Sequence, residues 1–500
     1  MSHHVTNFLF ESQYFVLVVT PGLSREEYQS RRSRLMSQLS EGSVVIVPGY
    51  GLRYATNGIF YPFHQQTNLL YLCGVDEPDC ALVLVRSKAS ENGYKMILFV
   101  RPQDKKREIW DGPKIGFEGA AQFFGADETQ SIDALPRYIE AILSSPTGPI
   151  YTDLALSSPP ATPLDETYIR HGSSSKLHAS NASAIDTSIT PILKNLTLTK
   201  GRRGRSPVVQ KLTPLISELR LVKSPAEQEL MRKAGRIAGR GFVDMMGETK
   251  PGIGEHDLGA VMEYSCKRQG AKGLGYVPVV AGGENALVIH YVVNNQLLSD
   301  GTLVLVDAGA EYAGYASDIT RTWPVNGKFT TQQRQLYEAV LRVQQDCIKR
   351  CTGDNDVTLD SIQNDAFEML REECSALFGR NIGRREMSQL YPHHVGHWLG
   401  MDIHDTENIP RTRKLEAGMV ITIEPGLYIP HSDAYPEGFR GVGIRIEDDI
   451  VVGSKETGFA PVVLSAEAPK EVIDVEAVVG GLVGRRKIKY PQAPTRAGHG

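Results

Sequence analysis

The sequence predicts an α/β domain followed by an α+β domain. Three observations carry this. Short apolar runs alternate with helical spacing in the first third. The composition breaks over 156–207. Blocks of helix then separate strands of antiparallel type in the second half. At 500 residues the chain is too long for one ordinary core, which fits two domains.

The elements follow in order. SVVIVP (43–48), CALVLV (80–85) and KMILFV (95–100) are short, rich in β-branched residues and bounded by Gly, Pro or charge, so they read as strands. Helical spacing appears over 25–39 and 133–144. This first domain is expected over 20–155. Residues 156–207 are rich in Ser, Pro and Ala, with a basic KGRRGR cluster, and read as a solvated, low-complexity linker. The second domain, 208–478, starts at Ser224-Pro225-Ala226-Glu227, a capping box with Pro at the first helical position. Helices are expected to about Gly247, over 255–269, 330–352 and 357–377. Strands are expected at 276–280, 286–291, 302–309, 419–429 and 441–452.

Composition excludes several classes. A net charge of −4 argues against a general nucleic-acid or membrane-surface binder. No apolar run approaches the roughly 20 residues of a membrane-spanning helix. The six cysteines show no CxxC spacing and read as reduced thiols. Asn181 and Asn195 begin N-x-S/T triplets, read as chance matches. No Lys or Arg precedes Arg25, so the start lacks the character of a presequence and, taken literally, points to the cytoplasm.

Chemistry gathers in the second half. HHVGHWLGMDIHD (393–405) holds His393, His394, His397 and His404, four of the chain's thirteen histidines. Acids also stand where apolar strands should end. Asp307 closes LVLV, and Asp318 follows on the expected return strand of a hairpin. Glu424 sits in VITIEPG, and Glu447 in GIRIED, where alternation puts Arg445 on its face. A charge in such a place is costly unless it is paired or bound to metal. Each acid alone could be a strand-end cap or a surface charge. Four acids with a histidine form an oxygen-dominated ligand set whose charge two divalent cations would neutralise. Mn²⁺ suits it, with Zn²⁺ and Co²⁺ as alternatives. Two ions about 3.5–4 Å apart, sharing a water, would acidify it for hydrolysis.

VDAGAEYAGYASDITRTWPV, HHVGHWLGMDIHD, TIEPGLYI and GIRIEDD together resemble the metallopeptidases of the pita-bread fold. The nearest similarity is to aminopeptidase P, the Xaa-Pro aminopeptidases, and within it to the eukaryotic mitochondrial branch that includes the intermediate cleaving peptidases. FHQQTNLLYLCGVDEPDCALVL and REIWDGP resemble that family's N-terminal domain. The resemblance covers about 20–155 and 208–475.

It implies Asp307, Asp318, His397, Glu424 and Glu447 as ligands of two metal ions, with Asp318 and Glu447 bridging. It implies His404 and His290 as substrate contacts that steady the developing oxyanion. His393 would line the pocket for the residue after the cut, and Tyr276 would lie at the substrate site. Arg445 would orient Glu447, and Glu424 would shuttle the proton. His394 is read as structural. The implied activity is removal of one N-terminal residue from peptides, typically before proline. In the mitochondrion this would trim imported proteins after presequence removal. The substrates are peptide or protein N-termini, with no nucleic acid and no membrane insertion, and the family forms dimers or tetramers. A dipeptidase of the same fold, prolidase, would use the same ligands, but the N-terminal motifs favour aminopeptidase P. The intact ligand set argues against a metal-free binding module.

Overall fold

The computed structural model describes residues 18–144, 147–154, 208–354, 356–454, 456 and 458–481. The expected linker, with its two Asn triplets and basic cluster, lies outside the described residues. The chain divides into two units, Met1–Glu229 with Gly400–Pro410, and Leu230–Leu399 with Arg411–Gly500.

The first unit is built on one mixed sheet. Its principal elements are α1 (Arg25–Ser37), β1 (Val44–Pro48), α2 (Thr67–Cys73), β2 (Ala81–Arg86), β3 (Tyr94–Val100), β4 (Glu128–Ser131), α3 (Leu135–Ser144), β5 (Ile150–Tyr151), β6 (Val209–Gln210) and α4 (Thr213–Leu221). The sheet runs β6-β5-β1-β2-β3-β4, antiparallel through β1, β2 and β3 and parallel at its flanks. The three apolar runs thus become its central strands. Alternation sends Val44, Ile46, Val83, Ile97 and Phe99 to one face, where they pack with Leu135 and Ile139 of α3. Arg31 of α1 is fully buried, its guanidinium carbon 4.4 Å from the Tyr71 ring centre and its Nη2 3.3 Å from Glu227 Oε1.

The second unit holds α5 (Pro225–Glu248, which starts in the first unit), α6 (Glu255–Arg268), β7 (Val279–Gly282), β8 (Leu303–Ala308), β9 (Ile319–Pro324), α7 (Thr331–Lys349), α8 (Leu359–Phe378), β10 (Val420–Ile423), β11 (Gly426–Ile429), β12 (Val442–Arg445), β13 (Asp448–Val451) and α9 (Val472–Val479). β7, β8 and β9 form an antiparallel sheet, β10 pairs with β13, and β11 pairs with β12. Phe242 and Met245 of α5, Met262 of α6 and Val475 of α9 close over Val304, Val306 and Trp323. The capping box at α5 forms as expected: the Glu227 amide donates to Ser224 Oγ at 3.3 Å, and Glu227 Oε2 accepts from the Ser224 amide at 2.8 Å. All six cysteines are free and buried. No helix among the described residues is long and apolar enough to cross a membrane.

Four expected strands differ. The run 276–280 is strand only from Val279, and β7 continues to Gly282. The stretch 286–291 is not a strand: a 3₁₀ turn at Gly283–Leu287 leads into a further turn. Hydrogen bonding overrides its apolar pattern. The Glu255 carboxylate, fully buried, accepts from the Gly282 and Gln296 amides, Asn285 Nδ2 and Tyr291 Oη, all within 2.8–2.9 Å. That ties 282–296 into a loop, while Ala286 and Leu287 still reach a core with Leu305 and Tyr428. The runs 419–429 and 441–452 each split in two. β10 ends before Glu424-Pro425, because Pro has no amide to donate to a ladder. β12 and β13 part at Ile446-Glu447, where the Glu447 amide leaves the run to donate to Thr320 O at 3.0 Å.

Candidate metal centre and active site

The five acids and histidines proposed as ligands come from strand ends, strand breaks and one loop. Asp307 lies near the end of β8 and Asp318 just before β9; the pairing of Ala308 with Ile319 brings them close. Tyr276 Oη donates to Asp307 Oδ1 and also lies 2.5 Å from Asp318 Oδ1. One phenolic proton cannot serve two carboxylates, so a proton or a cation must lie between these acids. The two breaks aim Glu424 and Glu447 inward. The stretch between a short helix at Arg384–Leu390 and β10 carries His397, whose amide donates to Thr422 Oγ1 at 3.1 Å.

Two glycines allow these approaches. A Cβ on Gly396 would stand 2.0 Å from Thr422 O, and one on Gly309 would stand 1.7 Å from Ser317 O. Both positions are set by backbone, which cannot swing aside as a side chain can.

Asp318, His397 and Glu447 each offer one ligand atom, all within 4.8 Å of one another. His397 Nε2 is 3.4 Å from Asp318 Oδ2 and 3.8 Å from Glu424 Oε1. Its Nδ1 lies 3.0 Å from Trp398 O. A carbonyl can only accept, so Nδ1 carries the proton in the neutral ring and Nε2 is the nitrogen available to a metal.

The electrostatics show a surplus of negative charge. Burial raises the Glu447 carboxyl well above the usual carboxylate range, and Asp318 and Glu424 push it further. Burial lifts Glu424 to about 7, with His397 and Arg445 opposing. Asp307 is raised by burial too, although Arg445 pulls against it. Burial alone would lower His397, but its bond to Asp318 and the charge of Glu424 lift it to about 9. Carboxyls raised by burial and by one another's charge, facing an imidazole nitrogen, fit a divalent-cation site.

A hydrogen-bonded chain runs beside this cluster. Arg445 Nη2 donates to Asp307 Oδ2 at 2.6 Å, and Nη1 donates to Tyr428 Oη at 2.8 Å. Tyr428 Oη lies 2.9 Å from His393 Nε2, and His393 Nδ1 lies 2.9 Å from His394 O. Burial, then Arg445, pushes His393 down to about 3, so its ring is neutral. The carbonyl forces the proton to Nδ1, and Tyr428 therefore donates to Nε2. Arg445 does not pair directly with Glu447. Its Nε donates to Thr320 Oγ1 at 3.0 Å, and that hydroxyl donates to Glu447 Oε2 at 2.6 Å.

Tyr276, Asp307, Asp318, His393, His397, Glu424, Arg445 and Glu447 thus converge within the second unit. His290 is exposed on a turn of the same unit. His404 is exposed in Gly400–Pro410, which belongs to the first unit. There Asp405 is buried against Arg220, and Lys223 Nζ reaches it at 3.1 Å. His394 sits 3.2 Å from Asp360 Oδ1, with Nδ1 bonded to Gly396 O at 2.9 Å, in keeping with a structural part.

Sequence reasoning missed Tyr428, Thr320 and Asp449. Asp449 is buried and accepts from the Asp318 amide at 3.1 Å. The signals were present: a Tyr hydroxyl in an all-buried strand needs a partner, and Thr320 and Thr322 alternate within the buried β9.

Comparison with known proteins places the chain in a family. Residues 229–454 match the model of metallopeptidase family M24, and 28–151 match that of the aminopeptidase P N-terminal domain. The chain is 40% identical to Xaa-Pro aminopeptidase 3 of Homo sapiens over 92% of its own length and 87% of that protein's. It is 38% identical to intermediate cleaving peptidase 55 of Saccharomyces cerevisiae, covering 92% of this chain and 85% of that protein. The crystal structure of Icp55 from Saccharomyces cerevisiae superposes with a TM-score of 0.79 at 36% identity, over 92% of this chain and 98% of that one. A Zn-substituted Escherichia coli aminopeptidase P in complex with product gives 0.79 at 30% identity, over 93% of this chain and all of that one. The fold is the expected pita-bread catalytic domain, preceded in the chain by an aminopeptidase P N-terminal domain. The chain belongs to metallopeptidase family M24, as a peptidase of its aminopeptidase P group.

Proposed function

We propose that this chain removes a single N-terminal residue from peptides, typically before proline, and trims imported mitochondrial proteins. The carrying observation is the convergence of Asp318, His397 and Glu447 ligand atoms within 4.8 Å, with Asp307 and Glu424 beside them, their carboxyls raised by burial. The mitochondrial part rests on similarity to proteins named intermediate cleaving peptidase 55, one of them, from Arabidopsis thaliana, named as mitochondrial. We further propose domain limits of 20–155 and 208–478, and a homodimer or homotetramer.

Asp307, Asp318, His397, Glu424 and Glu447 would hold two divalent ions, with Mn²⁺ as the best match to four carboxylates and one imidazole. When bound, the ions supply Lewis acidity toward the scissile carbonyl and acidify water. The chain's own groups do the rest. Glu424 accepts a proton from the attacking water and passes it to the leaving amine. Its carboxylate is placed for that task, 3.8 Å from His397 Nε2 at the candidate centre. Neutral His393 offers an uncharged wall to the residue after the cut. His404 and His290 contact the substrate and steady negative charge on its carbonyl oxygen. Arg445 holds Asp307 and, through Thr320, Glu447 in place.

The test is cleavage of matched peptides by metal-stripped protein with and without Mn²⁺. One set has proline second, one has other residues there, and one is two residues long. Mn²⁺-dependent release of one residue from the longer peptides is expected. Cleavage of dipeptides alone would make the chain a prolidase, and inertness with every metal would refute a hydrolase.

A further inference from the structure

The loop 282–296 carries His290, yet much of its tip faces solvent. Val288, His290, Val292 and Val293 are exposed, and Val293 keeps 64% of its surface accessible. Such a tip has few contacts of its own to hold a shape. Two anchors compensate. Asn294 Oδ1 accepts from the Val280 amide at 2.9 Å, and its Nδ2 donates to Pro278 O at 2.8 Å, fastening one stem to β7. Glu255, at the first turn of α6, does more. Its Oε1 takes the Gly282 amide and Asn285 Nδ2, and its Oε2 takes Tyr291 Oη and the Gln296 amide. One buried carboxylate therefore grips both stems and two points between them, one adjacent to His290. The Glu255 amide adds a bond to Gln296 O at 2.9 Å.

The same loop bears on the site. A Cβ on Gly443 of β12 would stand 2.6 Å from Ala286 O, so loop and strand touch backbone to backbone. Ala286 and Leu287 pack with Tyr428, whose hydroxyl joins Arg445 to His393. We infer that Glu255 is a positioning residue for the reaction, which sets His290 by clamping the 282–296 loop.

This rests on the aminopeptidase reading and on His290 as a substrate contact, and the experiment separates the three. Metal-loaded enzyme is compared as wild type, Glu255→Gln, His290→Ala and the double variant, with metal content and thermal unfolding measured on each. The amide of Gln would turn donors toward donors. Glu255→Gln is expected to lower kcat/KM about tenfold in wild type and less than about twofold when His290 is already Ala. Tyr291→Phe removes one of the four bonds and leaves the clamp otherwise intact. It gives the same coupling, at smaller size, should Glu255→Gln fail to fold. Equal losses in both backgrounds, or no loss from either loop variant, would overturn the inference. A silent His290→Ala would overturn the assignment of His290 instead, and absence of N-terminal release by wild type would overturn the aminopeptidase.

Discussion

Thr320 shows how much of this site depends on single atoms. Its hydroxyl accepts from Arg445 Nε and donates to Glu447 Oε2, so one oxygen fixes the orientation of a proposed ligand and of the cation behind it. Thr320→Val keeps the shape and removes both bonds. Metal affinity is expected to fall about 10- to 100-fold, measured by competition with a chelator; unchanged affinity would mean that Glu447 needs no such support. Asp318→Ala and Glu447→Ala should lose metal and hydrolysis together, read by elemental analysis beside the peptide assay. His404→Ala should keep its metal and lose most of kcat, whereas loss of metal would show it to be a ligand. The protonation pattern sets a sign as well. His397 is lifted to about 9 and Glu424 to about 7, so both hold protons that an incoming ion must displace. Loading should release protons and tighten as pH rises from 6 to 9, seen as acidification in a weak buffer when Mn²⁺ is added.

The elements matter through where they stop. A strand that ran on through Glu424-Pro425 or Ile446-Glu447 would send its side chains alternately to both faces and keep its amides in the ladder. The breaks free those positions for the site, and the approach of neighbouring backbone holds them. Gly396 is the tightest case on the histidine loop, with Thr422 O where a Cβ would stand. Gly396→Ala must push two backbone segments apart and is expected to cost about 3 kcal/mol or more. Chemical denaturation measures this, and a loss below 1 kcal/mol would show that the loop can give way. These breaks were only partly legible. Pro425 was visible as a residue unable to pair, and the acids at 424 and 447 were visible as anomalies in apolar runs. The pairing of each half with a different partner was not, because alternation is the same on both sides of each break.

For the whole molecule, buried ion pairs set the acid limit. Burial alone would raise the Asp405 carboxyl, but Arg220 and Lys223 outweigh it and hold it below the usual range. A depressed carboxyl contributes stability that is complete above its unfolded value, about 4, and is lost as pH falls through the folded one. Thermal stability should therefore drop below about pH 4. Asp405→Asn, which leaves buried Lys223 without its carboxylate and Arg220 with Asp402 alone, should be less stable at neutral pH and show a shallower acid slope. A wild-type slope retained in that variant would place the acid sensitivity elsewhere.

The sequence by itself determined the two-domain plan, the central strands of both units, the helix at Ser224-Pro225 and which acids and histidines gather at the candidate centre. Those features are written in local periodicity, in capping residues and in charges standing where apolar strands should end. Only the tertiary structure decided that 286–291 is a loop, because its apolar residues look like a strand until the buried Glu255 claims the amides around them. It likewise decided that Arg445 pairs with Asp307 and reaches Glu447 through Thr320. Those partners lie more than a hundred residues apart, and spacing along a chain carries no record of which distant hydroxyl a guanidinium will meet.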